Sequence, residues 1–111
     1  MSSAAPAKYE WLVVIPDQAD GLQRRLAVRP DHFKDLKANI DNGFYRMGGA
    51  ILEEVPKDDN LAFQGSTLIA WASSKEEVLE KVESDVYAKN NVWDLSKIQI
   101  YPLKCAFRTG L

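Results

Sequence analysis

Apolar residues in this chain follow two spacings in turn, and the order in which these spacings alternate limits the folds that the chain can adopt. Segments rich in β-branched and aromatic residues alternate with segments whose apolar residues recur every three or four positions. The resulting order is strand, helix, strand, strand, helix, strand. The predicted strands are residues 9–15, 44–51, 63–72 and 98–103. With right-handed crossovers, this order predicts a ferredoxin-like α+β fold, in which both helices cover one face of a four-stranded antiparallel sheet.

Local signals predict where the helices begin and end. Pro30 suits the first position of a helix, so the main helix is predicted at residues 30–41, after a separate short helix around residues 22–26. Asn42-Gly43 is a signal for the end of the main helix. The second helix is predicted to begin at the capping box Ser74-Lys75-Glu76-Glu77.

Glycines and polar runs mark the irregular parts of the chain. The pair Gly48-Gly49 lies within a predicted strand and indicates a bulge or a close approach to the backbone. Residues 53–61 are predicted to form an exposed loop and residues 85–91 a polar turn region. Residues 1–8 are predicted to be a disordered tail, which leaves residues 9–108 as one domain.

Composition excludes several classes of protein. A chain of 111 residues fits one domain, and its net charge of −2 gives no electrostatic footprint for nucleic acid. No apolar run approaches the length of a membrane span, and the first residues do not form a secretory signal. The single cysteine, Cys105, cannot form an internal disulfide and suits a reducing compartment, so the cytoplasm is the predicted location.

A sheet with helices on one side leaves its other face bare. Apolar side chains point to both sides of the predicted strands, among them Trp11, Trp71 and Tyr101. A large exposed apolar face normally binds a partner. We therefore predict a homodimer in which two sheets pack face to face, giving a dimeric α+β barrel.

The single histidine, His32, is the main candidate for acid–base chemistry. With a helix beginning at Pro30, Arg29 is the predicted cap residue and His32 lies in the first turn. Free N–H groups in that turn would attract an anion and favour a neutral imidazole. The alternative is a histidine that only packs at the edge of the helix, and the residues alone leave both open.

Several short stretches together resemble the YciI-like (YCII-related) family of small dimeric α+β barrel proteins. The segment from Arg24 to His32 is the most specific, because it carries the family's order of arginine, proline and histidine at Arg29, Pro30 and His32. The other matching positions are residues 17–20, 43, 49, 63–67, 85–87 and 102–104. Departures from the family pattern lie near the rim of the predicted pocket: Ala50, Val86 and Asn91.

The resemblance implies an active site that contains His32. The family is similar to muconolactone isomerase, and a histidine with a nearby aspartate has been proposed as its active site. His32 is therefore predicted to be the catalytic acid or base, with either Asp17 or Asp85 as its partner. The alternatives are that Asp17 caps the short helix and that Asp85 only forms a turn.

The same resemblance implies a set of substrate-binding residues. Arg25 and Arg29 are predicted to bind a substrate carboxylate, with surface ion pairs to nearby aspartates as the alternative. Ser66 is predicted to donate a hydrogen bond into the cleft, although it also fits the start of a strand. Tyr87 is predicted to be a pocket wall or part of the core, and Gly49 is assigned to the same pocket.

Two classes of function fit these residues. The first is a cofactor-independent isomerase or lyase that uses His32 as general acid or base on a small carboxylate- or enolate-bearing substrate. The second is a non-catalytic protein that binds a small molecule in the same pocket. No cofactor is predicted, and one histidine with one cysteine cannot supply an ordinary structural zinc site. The predicted partners are a second copy of the chain and a small anion, with no nucleic acid and no membrane.

Overall fold

The computed structural model describes residues 5–58 and 61–111 and confirms the predicted order of strands. Residues 1–4 of the predicted tail and residues 59–60 of the predicted loop lie outside the described residues. In chain order the elements are β1 (Tyr9–Pro16), α1 (Leu22–Asp41), β2 (Tyr45–Leu52), β3 (Phe63–Ala72), α2 (Lys75–Glu83), α3 (Val86–Lys89) and β4 (Gln99–Leu103).

The strands form one antiparallel sheet in the order β2-β3-β1-β4, which confirms the α+β fold class and places β1 in the interior of the sheet. Alternate residues of each strand point to the helices. Val13 of β1 lies between Leu68 of β3 and Ile100 of β4, and all three are buried in the core. The core therefore lies between the sheet and the helices.

Helix α1 is continuous through Pro30, so the predicted break and the separate short helix are wrong. Proline lacks an N–H and clashes with the preceding turn, which costs on the order of 3 kcal/mol inside a helix. Arg25 and His32 lie on either side of Pro30 and are both buried on the same face of α1. The contacts of these two side chains with the rest of the fold stabilise the helix on both sides of the proline. They outweigh the preference of Pro30 for the first position of a helix.

His32 consequently lies more than two turns from the start of α1. The residue that precedes the helix is Gly21, not Arg29. The free N–H groups of the helix start are far from the imidazole, so the predicted anion site at that end of the helix, beside His32, is wrong. The predicted end of the helix is confirmed, with Asn42 as the last cap residue and Gly43 at a φ of 82°.

The capping box of α2 is confirmed with a shift of one residue. The Ser74 hydroxyl accepts from the Glu77 N–H at 3.1 Å. The Glu77 carboxylate reaches back to the N–H of Ser73 at 3.0 Å, one residue earlier than predicted, and also accepts from the Ser73 hydroxyl. These hydrogen bonds lower the pKa of Glu77.

The region predicted to be a polar turn contains the short helix α3. Its cap residue is Asp85, whose side chain accepts from the N–H of Tyr87 at 2.8 Å. Both residues are buried. This turn therefore carries Asp85 and Tyr87 into the interior, beneath α1.

The predicted bulge in β2 lies at Arg46 rather than at the two glycines. Tyr45 pairs with Ala70 and Met47 with Ile69, so Arg46 is the extra residue. The glycines follow in regular register. A Cβ built on Gly48 would lie 3.2 Å from Cδ2 of Leu68, so β2 passes close to a core side chain here.

The face of the sheet opposite the core carries Val14, Ile69, Trp71 and Tyr101. The Tyr101 side chain is 50% exposed, and the Arg46 guanidinium lies 3.7 Å from the centre of the Trp71 ring. Trp11 points to the helix side instead, where its indole N–H donates to the Ala72 carbonyl at 2.9 Å. The open face of the sheet therefore carries apolar side chains as predicted, including Trp71 and Tyr101, but Trp11 is not one of them.

Candidate active site

A cavity of about 330 Å³ lies between α1 and β2, with β3 as its floor. Sites for small molecules have volumes of about 300 to 1,000 Å³, so this cavity suits a small ligand. The residues predicted for the site that border it are Arg25, Arg29, His32, Gly49, Ser66 and Tyr87. The structure thus brings six predicted residues together around one space.

The buried carboxylate beside His32 is that of Asp85. Nδ1 of His32 lies 2.9 Å from Oδ1 of Asp85, and both side chains are less than 10% exposed. A carboxylate oxygen of an ionised Asp85 can only accept a hydrogen bond. Nδ1 of His32 therefore carries a hydrogen and donates a hydrogen bond to Asp85. Nε2 is then the nitrogen with the free lone pair, and it is the atom of this pair that can take up a proton.

Two aromatic rings fix the orientation of the imidazole. The Tyr87 ring stacks on it with centroids 3.7 Å apart, and the Trp93 ring meets it edge-on at 5.9 Å. Burial raises the pKa of the Tyr87 phenol, against an opposing effect of the nearby Arg25 and Arg29. The stacked ring is therefore neutral at ordinary pH.

Asp17 does not pair with His32, and the prediction that offered it as a partner is wrong. Its carboxylate accepts from Nε of Arg25 at 2.8 Å and from Nη2 at 3.2 Å. Each side chain of this ion pair is 5% exposed, so the pair is buried and not on the surface. The helix that follows begins after Gly21 without a side-chain cap, so Asp17 is not its cap either.

The Nε and Nη2 atoms of the Arg25 guanidinium donate hydrogen bonds to groups of the protein itself. Besides Asp17, its Nη2 donates to the Gly65 carbonyl at 2.9 Å and to the Ser66 hydroxyl at 2.6 Å. The edge that would grip a substrate carboxylate with two parallel hydrogen bonds is therefore taken by Asp17. Arg25 borders the cavity as a cation that also holds Ser66.

Ser66 lies inside β3, which begins at Phe63, so it does not merely start a strand. Its hydroxyl oxygen accepts from Arg25 and from the indole N–H of Trp93 at 3.0 Å. With both lone pairs used, the hydroxyl hydrogen is left to donate. Gly65 allows this geometry, because a Cβ there would lie 2.6 Å from the Ile15 carbonyl oxygen.

The Arg29 guanidinium lies over two phenyl rings, at 5.1 Å from the Phe33 centroid and 5.3 Å from the Phe63 centroid. No carboxylate of the described residues lies within ion-pair distance of it, in contrast to Arg25. The two rings hold the side chain at the cavity wall through cation–π contacts. Within residues 5–58 and 61–111, Arg29 is thus a positioned cation whose donors have no carboxylate partner.

Trp93 and Tyr45 are among the residues of the site that were not predicted from the sequence. Trp93 follows a polar turn, and no local pattern indicates a role for it. Its indole N–H donates to Ser66, which is 27 residues away in the chain, and this contact brings it to the site. Tyr45 was an ordinary strand residue in the prediction. Its hydroxyl is buried and has no hydrogen-bond partner among the described residues, and burial together with Asp85 raises its pKa.

Replacing Tyr45 by phenylalanine is expected to stabilise the protein by about 1 kcal/mol, because the variant removes a buried hydroxyl that lacks a partner. Urea unfolding followed by circular dichroism measures this change. Tyr9→Phe is the matched control, since Tyr9 is 55% exposed, and its effect should stay within about 0.5 kcal/mol. A loss of stability in Tyr45→Phe larger than in the control would contradict the expectation.

The described residues offer few other chemistries. They contain no helix long and apolar enough to cross a membrane. Among the same residues, no three His, Cys, Asp or Glu side chains come together in a group that could hold a metal ion. The His32–Asp85 pair at the cavity is the arrangement with evident acid–base capacity.

Comparison with known proteins finds relatives that span most of the chain. No family model matches. The chain is 34% identical over 101 residues to aspercryptin biosynthesis cluster protein B of Emericella nidulans, covering 89% of the chain but 64% of that protein, which is less than two thirds of its length. It is 31% identical over 98 residues to protein YciI of Escherichia coli, covering 87% of the chain and 98% of YciI.

The same fold is found in a solved structure. It is the 5-chloro-2-hydroxyhydroquinone dehydrochlorinase (TftG) of Burkholderia phenoliruptrix AC1100 in complex with 2,5-dihydroxybenzoquinone. The TM-score is 0.73 at 25% identity, covering 86% of this chain and 93% of that one. The fold thus places the chain among the small α+β proteins of the dimeric α+β barrel class. Its similarity to YciI over nearly the full length of both chains identifies it further: the chain belongs to the YciI-like family.

Proposed function

We propose that the protein is a cofactor-independent isomerase or lyase that moves protons on a small molecule with an enol, phenol or carboxylate group. The observation that carries the proposal is the buried hydrogen bond between Nδ1 of His32 and Asp85 at the wall of the cavity. It leaves Nε2 as the base. A positioned acid–base group of this kind contributes about 10²–10⁴-fold to a rate.

The residues divide the work in a simple way. Nε2 of His32 takes a proton from the substrate and later returns it at another atom or to a leaving group. The Asp85 carboxylate stabilises the imidazolium that forms in between. Arg29 and the Ser66 hydroxyl donate toward the oxygen on which negative charge develops, where preorganised donors have their largest effect.

The relatives support a ring-shaped substrate. The ligand in the structurally similar dehydrochlorinase is a hydroxylated quinone, and that enzyme is named for an elimination reaction. The relative from Emericella nidulans is named for a biosynthesis cluster, which suits an enzyme that acts on a small natural product. A hydroxylated ring would fit beside the imidazole, with an acidic oxygen next to Arg29.

The experiment is a titration with 2,5-dihydroxybenzoquinone, followed by NMR of bound hydroxyquinones in D₂O. We expect saturable binding and enzyme-dependent exchange of a carbon-bound proton for deuterium. Binding without exchange would favour the alternative, a non-catalytic protein that holds a small molecule in the same pocket. Absence of binding for hydroxyquinones, phenols and carboxylates would remove the basis for both.

Replacing Arg29 by glutamine is expected to weaken binding of an anionic ligand by about 10- to 100-fold, because a charge-assisted hydrogen bond is lost. Isothermal titration of wild type and variant measures the change. Arg24→Gln is the control, since Arg24 lies on the same helix but pairs with Asp20 at the surface. Equal affinity of Arg29→Gln and wild type would show that the anion lies elsewhere.

We also propose that two copies of the chain pack through the open sheet face. That face carries the half-exposed Tyr101 and the stacked pair of Trp71 and Arg46. Light scattering after size exclusion should give twice the mass of the chain, and Tyr101→Glu should shift it toward the monomer. Leu22→Glu, which changes an exposed apolar residue on α1, should leave the dimer intact. A monomeric wild type at micromolar concentration would overturn the proposal.

The domain boundaries and the location stay proposals as well. We take residues 9–108 as the functional domain, because the described strands and helices all lie inside these bounds. The cytoplasm remains the proposed location on the ground of the single cysteine.

A further inference from the structure

The cavity is polar at one end and apolar at the other, and side chains of helix α1 line both ends. Arg25, Arg29 and His32 face the cavity from the first part of the helix, and Leu36 and Ile40 face it from the last part. From Arg29 to Ile40 the helix rises by about 16 Å. This distance is longer than one six-membered ring, so a single ring at His32 leaves the far end unfilled.

The opposite wall of the cavity changes in the same direction. Ser66 borders the polar end, and Leu68, two residues further along β3, borders the apolar end. Leu68 is paired across the sheet with Gly48 of β2, which also borders the cavity. Because Gly48 has no side chain, the space next to Leu68 stays open. We call the part of the cavity bounded by Leu36, Ile40, Gly48 and Leu68 the apolar arm.

The apolar arm opens to solvent in the single chain. Ile40 is 57% exposed although it borders the cavity. Arg46 also borders this end, but its guanidinium lies over Trp71 and 3.9 Å from Glu10, so its charge is directed to the other face of the sheet. An apolar group of a ligand would therefore cover apolar side chains here without meeting a charge.

We propose that the natural ligand consists of an acidic ring and an aliphatic chain, with the ring at His32 and the chain in the apolar arm. The ring's position rests on the proposed function; the chain rests on the shape and polarity of the cavity. The cavity is one continuous space, so a single molecule can occupy both ends. The class is thus an alkyl-substituted phenol, enol or aromatic acid.

The test uses benzoate and its 4-ethyl, 4-butyl and 4-hexyl derivatives as probes. Isothermal titration should show an affinity that rises about twofold to fourfold for each CH₂ group that is added, as expected for burial of CH₂ groups. The same affinity for all four acids would overturn the proposal. The probes are compared below the concentration at which the longest one aggregates.

Gly48 supplies a variant that fills the arm. A Cβ on Gly48 would lie 3.2 Å from Cδ2 of Leu68, within the arm. We expect Gly48→Val to remove the gain with chain length and to leave benzoate binding unchanged. Gly110→Val is the control, since it adds the same atoms outside the strands and helices, where a Cβ has no atom within 4 Å, and it should keep the gain. An equal loss in both variants would overturn the placement of the chain.

Ile40→Ser gives a second measurement if Gly48→Val does not fold. Ile40 is largely exposed, so the fold should tolerate serine, and the gain from the butyl to the hexyl probe should fall. If Ile40→Ser instead leaves the probe affinities unchanged and converts a dimer into a monomer, another copy covers the arm and the proposal is wrong.

The two proposals fail in different ways. If the proposed function is wrong, benzoate binding does not respond to Arg29→Gln, and no ligand exchanges protons in the presence of the protein. If only the present inference is wrong, benzoate still binds through Arg29, but the alkyl probes bind no better than benzoate.

Discussion

Replacing His32 by asparagine is expected to lower turnover by about 10²–10⁴-fold, because the variant loses the only nitrogen of the site that can accept a proton at neutral pH. Asparagine still offers an N–H to Asp85, so the buried carboxylate keeps a donor. The fold should therefore survive. The measurement is the rate of proton exchange or conversion for a ligand that binds the wild type.

Variants of the two aspartates separate the catalytic pair from the structural one. In Asp85→Asn the amide oxygen can still accept from Nδ1 of His32 and from the N–H of Tyr87, but the negative charge that stabilises the imidazolium is lost. Turnover should fall, and the nitrogen NMR signals of the single imidazole should move, because the partner of Nδ1 changes from a carboxylate to an amide. Asp17→Asn should leave these signals unchanged, because Asp17 contacts Arg25 and not His32.

Two outcomes would contradict an acid–base role of His32 paired with Asp85. Turnover of His32→Asn close to that of the wild type would show that His32 only packs against Tyr87. A change of these NMR signals in Asp17→Asn but not in Asp85→Asn would show that His32 pairs with Asp17 and not with Asp85. Circular dichroism of each variant shows whether the fold is retained.

The fold was predictable because its signals are local. The core strands are rich in β-branched residues, α2 begins at a capping box, and Asn42-Gly43 ends α1. Each of these signals acts within a few residues of its own position. The order of strands then leaves few arrangements with right-handed crossovers.

The start of α1 was not predictable from local signals. A rule based on Pro30 places the helix start at the proline, whereas the contacts that keep the helix going come from distant residues. Arg25 binds Ser66 of β3, and His32 binds Asp85 before α3. Sequence spacing gives no measure of such contacts.

The choice between Asp17 and Asp85 depended on the same error. In one continuous helix, Arg25 and His32 lie two turns apart on one face. Arg25 then meets Asp17 at the end of β1, and His32 lies too far along the helix to reach it. With a helix that began at Pro30, His32 and Asp17 were free to be placed together.

Replacing Arg25 by methionine is expected to destabilise the protein by about 3–5 kcal/mol, the usual loss when one partner of a buried ion pair is removed. Methionine fills much of the same space, so the loss comes from the Asp17 carboxylate that stays buried without a donor. The Ser66 hydroxyl and the Gly65 carbonyl lose a donor as well. Urea unfolding measures the free energy of unfolding.

Arg24→Met is the matched control for this variant. Arg24 is the neighbouring arginine, and its ion pair with Asp20 is exposed, with 36% and 83% of the two side chains accessible. Exposed pairs contribute about 0–1 kcal/mol, and the hydrogen bonds of Arg24 to the Asn91 carbonyl are exposed as well, so this control should lose much less stability than Arg25→Met. A similar small change in Arg25→Met would contradict the assignment of a buried structural pair.

The double variant Arg25→Met with Asp17→Asn tests the cause of the loss. If the unpaired carboxylate is responsible, removing its charge should restore part of the stability, and the double variant should be more stable than Arg25→Met alone. If the loss comes from the contacts of Arg25 with Ser66 and Gly65, the second substitution should restore none of the stability. The first outcome would show that the Arg25–Asp17 pair contributes to stability through its charges. The His32–Asp85 pair shares no hydrogen bond with it and should stay in place in the double variant.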